Sequence, residues 1–175
     1  MALENSSLIR LDQDYEIKPF DCDDEDLNDF LFNDSKPALN QNLAVTYLLE
    51  EEGKTIAYFS LLNDKISYKE LRTGAFETVK ILFLNTGFDN LQSFPAVKIG
   101  RLGVNELSQG TGVGRWITDY LKALFLENNR TGCRFITVDA YEKSLKFYER
   151  TGFSYMTAKD EGKPTRLMYF DLQTI

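Results

Sequence analysis

The sequence predicts one domain of the α/β class in its α+β form: a mixed, mostly antiparallel sheet with a bulged central strand and flanking helices. Three observations predict it. The chain has 175 residues, which fits a single domain with a sizeable core. In its first third, two β-type runs face each other across a polar turn containing glycine. In its second half a strand, a long amphipathic helix and another strand follow in the order of a crossover unit. No internal repeat, low-complexity tract or Pro/Gly-rich linker interrupts the chain, so residues 1–175 are expected to form one domain.

The elements are justified in chain order. Leu27, Phe30 and Leu31 recur at i, i+3 and i+4, so a short amphipathic helix is expected there. The surrounding acidic run (Asp21, Asp23, Asp24, Glu25, Asp26, Asp29) reads as its capping and solvated face. Ala44–Leu49 and Thr55–Leu62 form a hairpin across the turn at 50–54. Residues 63–94 show no sustained period: Lys80–Leu84 is apolar, but Gly74 and Gly87 leave helix and loop both open, and a variable connection is expected. Pro95–Val104 is strand-like with a fault. Val97 and Ile99 share one face while Leu102 and Val104 fall on the other, which suggests a β-bulge near Gly100 and Gly103. Val113, Trp116, Ile117, Tyr120, Leu121, Leu124 and Phe125 then form a clean helical stripe. Arg134–Val138 is a buried-type strand, and Lys143–Arg150 a helix stopped near Gly152. Phe153–Met156 and Arg166–Leu172 close as strands joined by the polar turn 159–164.

Composition narrows the chemistry. There is no histidine, which excludes histidine-based hydrolases, histidine-ligated zinc and histidine acid–base catalysis. Cys22 and Cys133 are too few and too far apart for a CxxC motif or a disulfide scaffold, so two reduced thiols in a cytoplasmic protein are expected. The first residues lack the basic start and apolar run of a signal peptide, and no stretch approaches the ~20 apolar residues that span a bilayer, so no membrane partner is expected. Lys and Arg number 20 against 27 Asp and Glu, a formal charge of −7, which argues against a broad nucleic-acid surface.

Gln109-Gly110-Thr111-Gly112-Val113-Gly114-Arg115 lies between a strand and the long helix. Alternating glycines let the backbone approach a ligand closely, and the amides at a helix start suit a phosphate or pyrophosphate. The spacing fits neither GxGxxG nor Walker A. This segment resembles the Q/R-x-x-G-x-G/A cofactor loop of GNAT-type N-acetyltransferases, and Phe147-Tyr148-Glu149-Arg150-Thr151-Gly152-Phe153 resembles that family's FYExxGF signature. The order and separation of the two motifs match as well. Phe20–Leu31, Thr46–Leu62 and Gly100–Phe153 together look like the branch that includes the tRNA-acetylating toxins of bacterial toxin–antitoxin modules.

The resemblance implies a GNAT-like fold and acetyl-CoA as cosubstrate, with no metal. The amides of Gln109, Gly110, Thr111, Gly112, Val113 and Gly114, with the Arg115 side chain, would hold the pyrophosphate. The backbone of Leu102, Gly103 and Val104 would pair with the pantetheine arm and polarise the thioester carbonyl. Tyr148 would donate a proton or hydrogen bond to the departing thiolate. Tyr141 and Ser144 stand where many members have Asn and Ala, so Ser144 would replace part of the usual Asn contact to the cofactor. The base is left open among Glu106, Asp139, Glu142 and water. The expected activity is acetyl transfer to a primary amine of a small molecule, peptide or protein by direct attack in a ternary complex. Aminoacyl-tRNA is the alternative acceptor, and a non-catalytic acyl-CoA-binding module is the third reading. A homodimer and, for the toxin reading, an antitoxin are the partners the resemblance implies.

Overall fold

A computed structural model describes residues 5–68, 81, 92–127, 129 and 132–174. Apart from Ile81, the apolar run Lys80–Leu84 lies outside the described residues, as do Gly74 and Gly87. The described elements are β1 (Ser7–Arg10), α1 (Glu25–Asp29), a π-helical turn (Phe30–Asp34), α2 (Ser35–Asn40), β2 (Val45–Glu51), β3 (Lys54–Ser67) and β4 (Ser93–Val104). After a 3-10 turn (Glu106–Ser108) come α3 (Val113–Glu127), β5 (Phe135–Tyr141), a second 3-10 turn (Glu142–Ser144), α4 (Leu145–Arg150), β6 (Ser154–Tyr155) and β7 (Thr165–Asp171). The strands form a seven-stranded sheet in the order β1-β2-β3-β4-β5-β7-β6, with the α3 crossover leading from β4 to its neighbour β5. This is the expected mixed architecture with flanking helices.

The chain resolves into two compact units, Met1–Leu62 with Ile99–Tyr120, and Asn63–Lys98 with Leu121–Ile175. In the first unit β2 and β3 make the expected hairpin. Its two-residue turn, Glu52 (φ +50°) and Gly53 (φ +76°), has positive φ at both positions, the sign pattern that suits strand twist. Asp24 caps α1 by accepting from the Leu27 amide, with Glu25 and Asp26 in the first turn, so the acidic run serves this helix as expected. Leu27 and Phe30 pack against a core of Leu11, Phe20, Cys22, Leu31, Leu48 and Tyr58. The Tyr58 hydroxyl donates to the Leu27 carbonyl at 2.7 Å, which ties α1 to the sheet.

Two glycines of β4 have a packing reason. A Cβ on Gly100 would lie 2.6 Å from Leu62 Cδ2, and one on Gly103 would lie 2.7 Å from Tyr58 Cε1. Neither glycine has a left-handed φ, so room for the side chains of β3 explains them. The register irregularity in the β2–β3 pairing falls between Leu49 and Glu50.

In the second unit Ile66, Phe94, Ala96, Phe135, Met156 and Tyr169 form the core. Arg134 grips the buried Asp171 with two hydrogen bonds, Nε to Oδ1 at 2.7 Å and Nη2 to Oδ2 at 2.8 Å. Helix α4 ends at Gly152 (φ +87°), where the Phe153 amide donates to the Tyr148 carbonyl and the Gly152 amide to the Glu149 carbonyl. That pair of bonds is a Schellman stop, and the Tyr148 and Phe153 rings complete it at 5.3 Å. The FYExxGF-like segment is therefore, physically, a helix with its own termination signal.

Candidate active site

The loop before α3 is built to leave amides free. Gly110 (φ +73°) and Gly112 (φ +98°) occupy left-handed backbone, and a Cβ at either would meet nothing within 4 Å. Conformation rather than packing requires these two glycines, and the space in front of them is open. The helix ladder begins with the Trp116 amide, which donates to the Gly112 carbonyl. Among the described residues, the amides of Gly110 through Gly114 have no backbone acceptor outside the helix. They sit at the start of a 15-residue helix, where the dipole favours an anion. Such a cradle fits a pyrophosphate.

The other loop residues divide their work. Gln109 donates through Nε2 to the carbonyls of Cys22 at 2.9 Å and Val104 at 3.1 Å, so its side chain fastens the loop to β4 and to the segment before α1. The Thr111 hydroxyl is spent on Ser108 O at 2.7 Å. Val113 anchors the first turn in the core, Gly114 is half-buried and Arg115 is exposed. On β4, Leu102 and Val104 are half-buried and Gly103 is buried against Tyr58 and Phe20. The Val104 carbonyl already accepts from Gln109, and Asn105 N donates to Ile56 O.

Tyr148 belongs to the second unit. It is 5% exposed, with its ring edge-on to Phe147 at 4.9 Å and to Phe153 at 5.3 Å. No described residue hydrogen-bonds its hydroxyl, and burial pushes the phenol above the ordinary tyrosine range. The group stays protonated at neutral pH and has a proton to offer. Ser144 stands at the N-cap position of α4 without making a side-chain cap bond. Tyr141, at the end of β5, is 38% exposed. Among the carboxylates weighed as base, Asp139 is held by Lys98, while Glu106 and Glu142 lie exposed on short 3-10 turns. Cys133 is buried with Sγ 3.0 Å from Phe135 O, and burial pushes its thiol up to about 11, which removes it as a nucleophile.

Sequence reasoning passed over two cations. Arg101, in the first unit, has its guanidinium over the Phe30 ring. Lys122, in the second, donates to the Thr151 carbonyl at 2.6 Å while lying 4.4 Å over the Phe170 ring, so a positive charge sits at the C-terminus of α4. Neither belongs to a motif. The aromatic neighbours that give each its environment come from distant parts of the chain.

A family model described as an acetyltransferase (GNAT) domain matches residues 86–170. Just under half of the chain, including the glycine loop and Tyr148, is thus similar to a GNAT acetyltransferase domain. Solved structures extend the likeness across nearly the whole chain. A bacterial toxin superposes with a TM-score of 0.77 at 15% identity, over 97% of this chain and 92% of that one. AtaT complexed with acetyl-methionyl-tRNAfMet gives 0.76 at 20% identity, over 97% and 96%. A mutant AtaT toxin bound to the C-terminus of the antitoxin AtaR and acetyl-CoA gives 0.75 at 19% identity, over 97% and 94%. No curated protein matches the sequence. Among the described residues no helix is long and apolar enough to cross a membrane, and no group of side chains has the makings of a metal site.

Proposed function

We propose that this protein is an acetyl-CoA-dependent N-acetyltransferase of one domain that modifies an α-amino group, the aminoacyl end of a charged tRNA being the foremost acceptor. The observation that carries the cofactor reading is the run of unaccepted amides from Gly110 to Gly114 at the head of α3. These bind the pyrophosphate with Arg115, and the backbone of Leu102–Val104 receives the pantetheine arm. Ser144 contacts the cofactor from the N-cap of α4. The amine nitrogen bonds to the acetyl carbon, the carbon–sulfur bond breaks, and Tyr148 gives its phenolic proton to the thiolate. Solvent takes the proton the amine loses and restores the phenol.

The acceptor follows from the base. A lysine ε-amine, with a pKa near 10.4, is neutral in well under about 0.1% of molecules at pH 7 and leans on a base, whereas an α-amine near 7.7–8.0 has about a tenth of its molecules neutral and ready to attack. Asp139 is neutralised by Lys98, and Glu106 and Glu142 are solvated, so an acceptor that needs no base suits this chain. The similar structure holding acetyl-methionyl-tRNAfMet supports tRNA as the carrier of that amine. A net charge of −7 weighs against tRNA less than its total implies. Residues 1–62 hold 14 acidic and 4 basic side chains, whereas residues 63–175 hold 16 basic and 13 acidic. Small-molecule and peptide α-amines are the second reading, favoured by the acidity of residues 1–62. By the same resemblance we propose a cytoplasmic bacterial protein paired with an antitoxin. Thiol release from acetyl-CoA, measured with charged tRNAs, peptides and free amines side by side, tests the acceptor. Release with charged tRNA and none with lysine side chains is expected, and the reverse order sinks the proposal.

A further inference from the structure

Arg101 lies on β4, one residue before the segment assigned to the thioester. Its guanidinium carbon is 5.1 Å from the centre of the Phe30 ring, and that ring is itself stacked on Tyr58 at 6.4 Å and 13°. Nη1 donates to the Gly100 carbonyl at 3.0 Å, which fixes the plane of the guanidinium. Nε is buried and has no hydrogen-bond partner among the described residues. The carboxylate that comes near, Asp26 Oδ2, stops at 3.6 Å, beyond hydrogen-bond range, on a side chain that is 58% exposed. A buried ionised donor left without an acceptor is costly, and the Phe30 ring and the 3.6 Å approach of Asp26 relieve it only in part.

The geometry names the missing partner. With Nη1 committed, the edge left for an acceptor is Nε–Nη2, faced by Asp26 Oδ2 at 3.6 Å, and once Asp26 moves aside that edge matches two oxygens of a carboxylate or phosphate. Phe30 shields the face of the cation, and a partly desolvated cation binds an anion more tightly than a solvated one. Asp26 competes weakly for the same edge. We propose that Arg101 is the acceptor-recognition residue: its Nε edge receives an oxyanion carried by the amine substrate and displaces Asp26. The oxyanion is the carboxylate of a free amino acid or peptide, or a phosphate of the tRNA acceptor end. This rests on the α-amine reading above and adds to it what the enzyme grips besides the amine.

The test uses equilibrium binding in the presence of CoA, so that it does not depend on turnover. The probes are an N-acetylated amino acid for the carboxylate and uncharged tRNA for the phosphate, and the one that binds identifies the source. Arg101→Gln is expected to weaken the bound probe tenfold or more, with CoA affinity and melting temperature unchanged. Arg101→Lys, which keeps the charge and loses the fork, is expected to recover part of the affinity. Asp26→Asn is expected to tighten binding two- to threefold by removing the competitor. Opposite signs for the two sites are the signature, because a merely structural Arg101–Asp26 pair would lose stability from either side and leave probe affinity alone. Two losses of the same sign, an effect confined to CoA, or a wild type that binds neither probe overturns the inference. A wild type that binds a probe through Arg101 yet acetylates no α-amine would leave this inference standing and overturn the proposed function.

Discussion

In the proposed mechanism the chemistry narrows to Tyr148. Its ring is held between Phe147 and Phe153, yet no described residue uses its hydroxyl, so removing that hydroxyl tests the proposed proton donation while sparing the fold. Tyr148→Phe is expected to lower kcat by about 10²–10⁴, the range for loss of a positioned proton donor, while thermal stability shifts by less than about 0.5 kcal/mol. Steady-state kinetics beside a melting curve check both halves, and a stable variant of full activity would refute the role. The pH profile follows from the same burial. The phenol is held above its ordinary range in the folded enzyme, so it keeps its proton through neutral and mildly alkaline pH. The rate should rise with pH as the acceptor α-amine loses its proton near 8 and show no fall below about pH 9.5 from Tyr148. A descending limb centred near 7 to 8 would identify a different proton donor. Cys133, with its thiol up at about 11, is expected to resist alkylation in the native protein, and Cys133→Ala to keep turnover. Mass spectrometry and activity read that pair.

Among elements, two kinds of glycine separate by measurement. Gly112→Ala forces a Cβ onto left-handed backbone facing open space, so it strains the loop by about 1 kcal/mol and disturbs the amide cradle. A raised Kd for acetyl-CoA by calorimetry is the expected result. Gly103→Ala drives a Cβ to 2.7 Å from Tyr58, whose hydroxyl holds α1, so it overpacks the core by about 1–3 kcal/mol and shows as a lower melting temperature. Helix α4 offers a parallel test. Lys122→Met removes the cation over its C-terminus, costs about 1–2 kcal/mol, and lowers kcat through displacement of Tyr148. The same elements show what was readable in advance. The α1 cap, the Glu52-Gly53 hairpin, the Gly152 stop and the glycine loop were legible because each is a local conformational demand met by residues next to one another. The second half of β3 was not. Asn63–Ser67 falls within the variable connection expected over residues 63–94, and Asp64 is held in β3 by the Thr137 hydroxyl, a residue 73 positions away. β1 is four residues long, too short to carry a period, and is a strand because Leu8 and Ile9 pair with Leu49 and Leu48. Arg101 was illegible for a related reason: a lone arginine in a strand looks solvated until Phe30 and Gly100 are seen around it.

For the whole molecule, charge decides partners. An acidic chain whose excess is confined to residues 1–62 has a remainder that is slightly basic, so its contact with a polyanion is expected to depend on salt. If charged tRNA is the acceptor, its KM should climb steeply between about 50 and 200 mM salt while the KM for acetyl-CoA moves far less. On the tRNA reading, the −7 total bears on which acceptor binds and leaves the proposed transfer chemistry untouched. The central claim is that the enzyme moves an acetyl group from acetyl-CoA directly to an α-amine with Tyr148 as proton donor. The measurement that tests it most directly is single-turnover thiol release from acetyl-CoA with charged tRNA, comparing wild type with Tyr148→Phe. The account predicts stoichiometric acetylated product from the wild type and a rate lower by at least about a hundredfold in the variant, at unchanged acetyl-CoA affinity. Acetyl transfer at wild-type rate in the variant, or thiol release by the wild type without any acetylated α-amine, would contradict it.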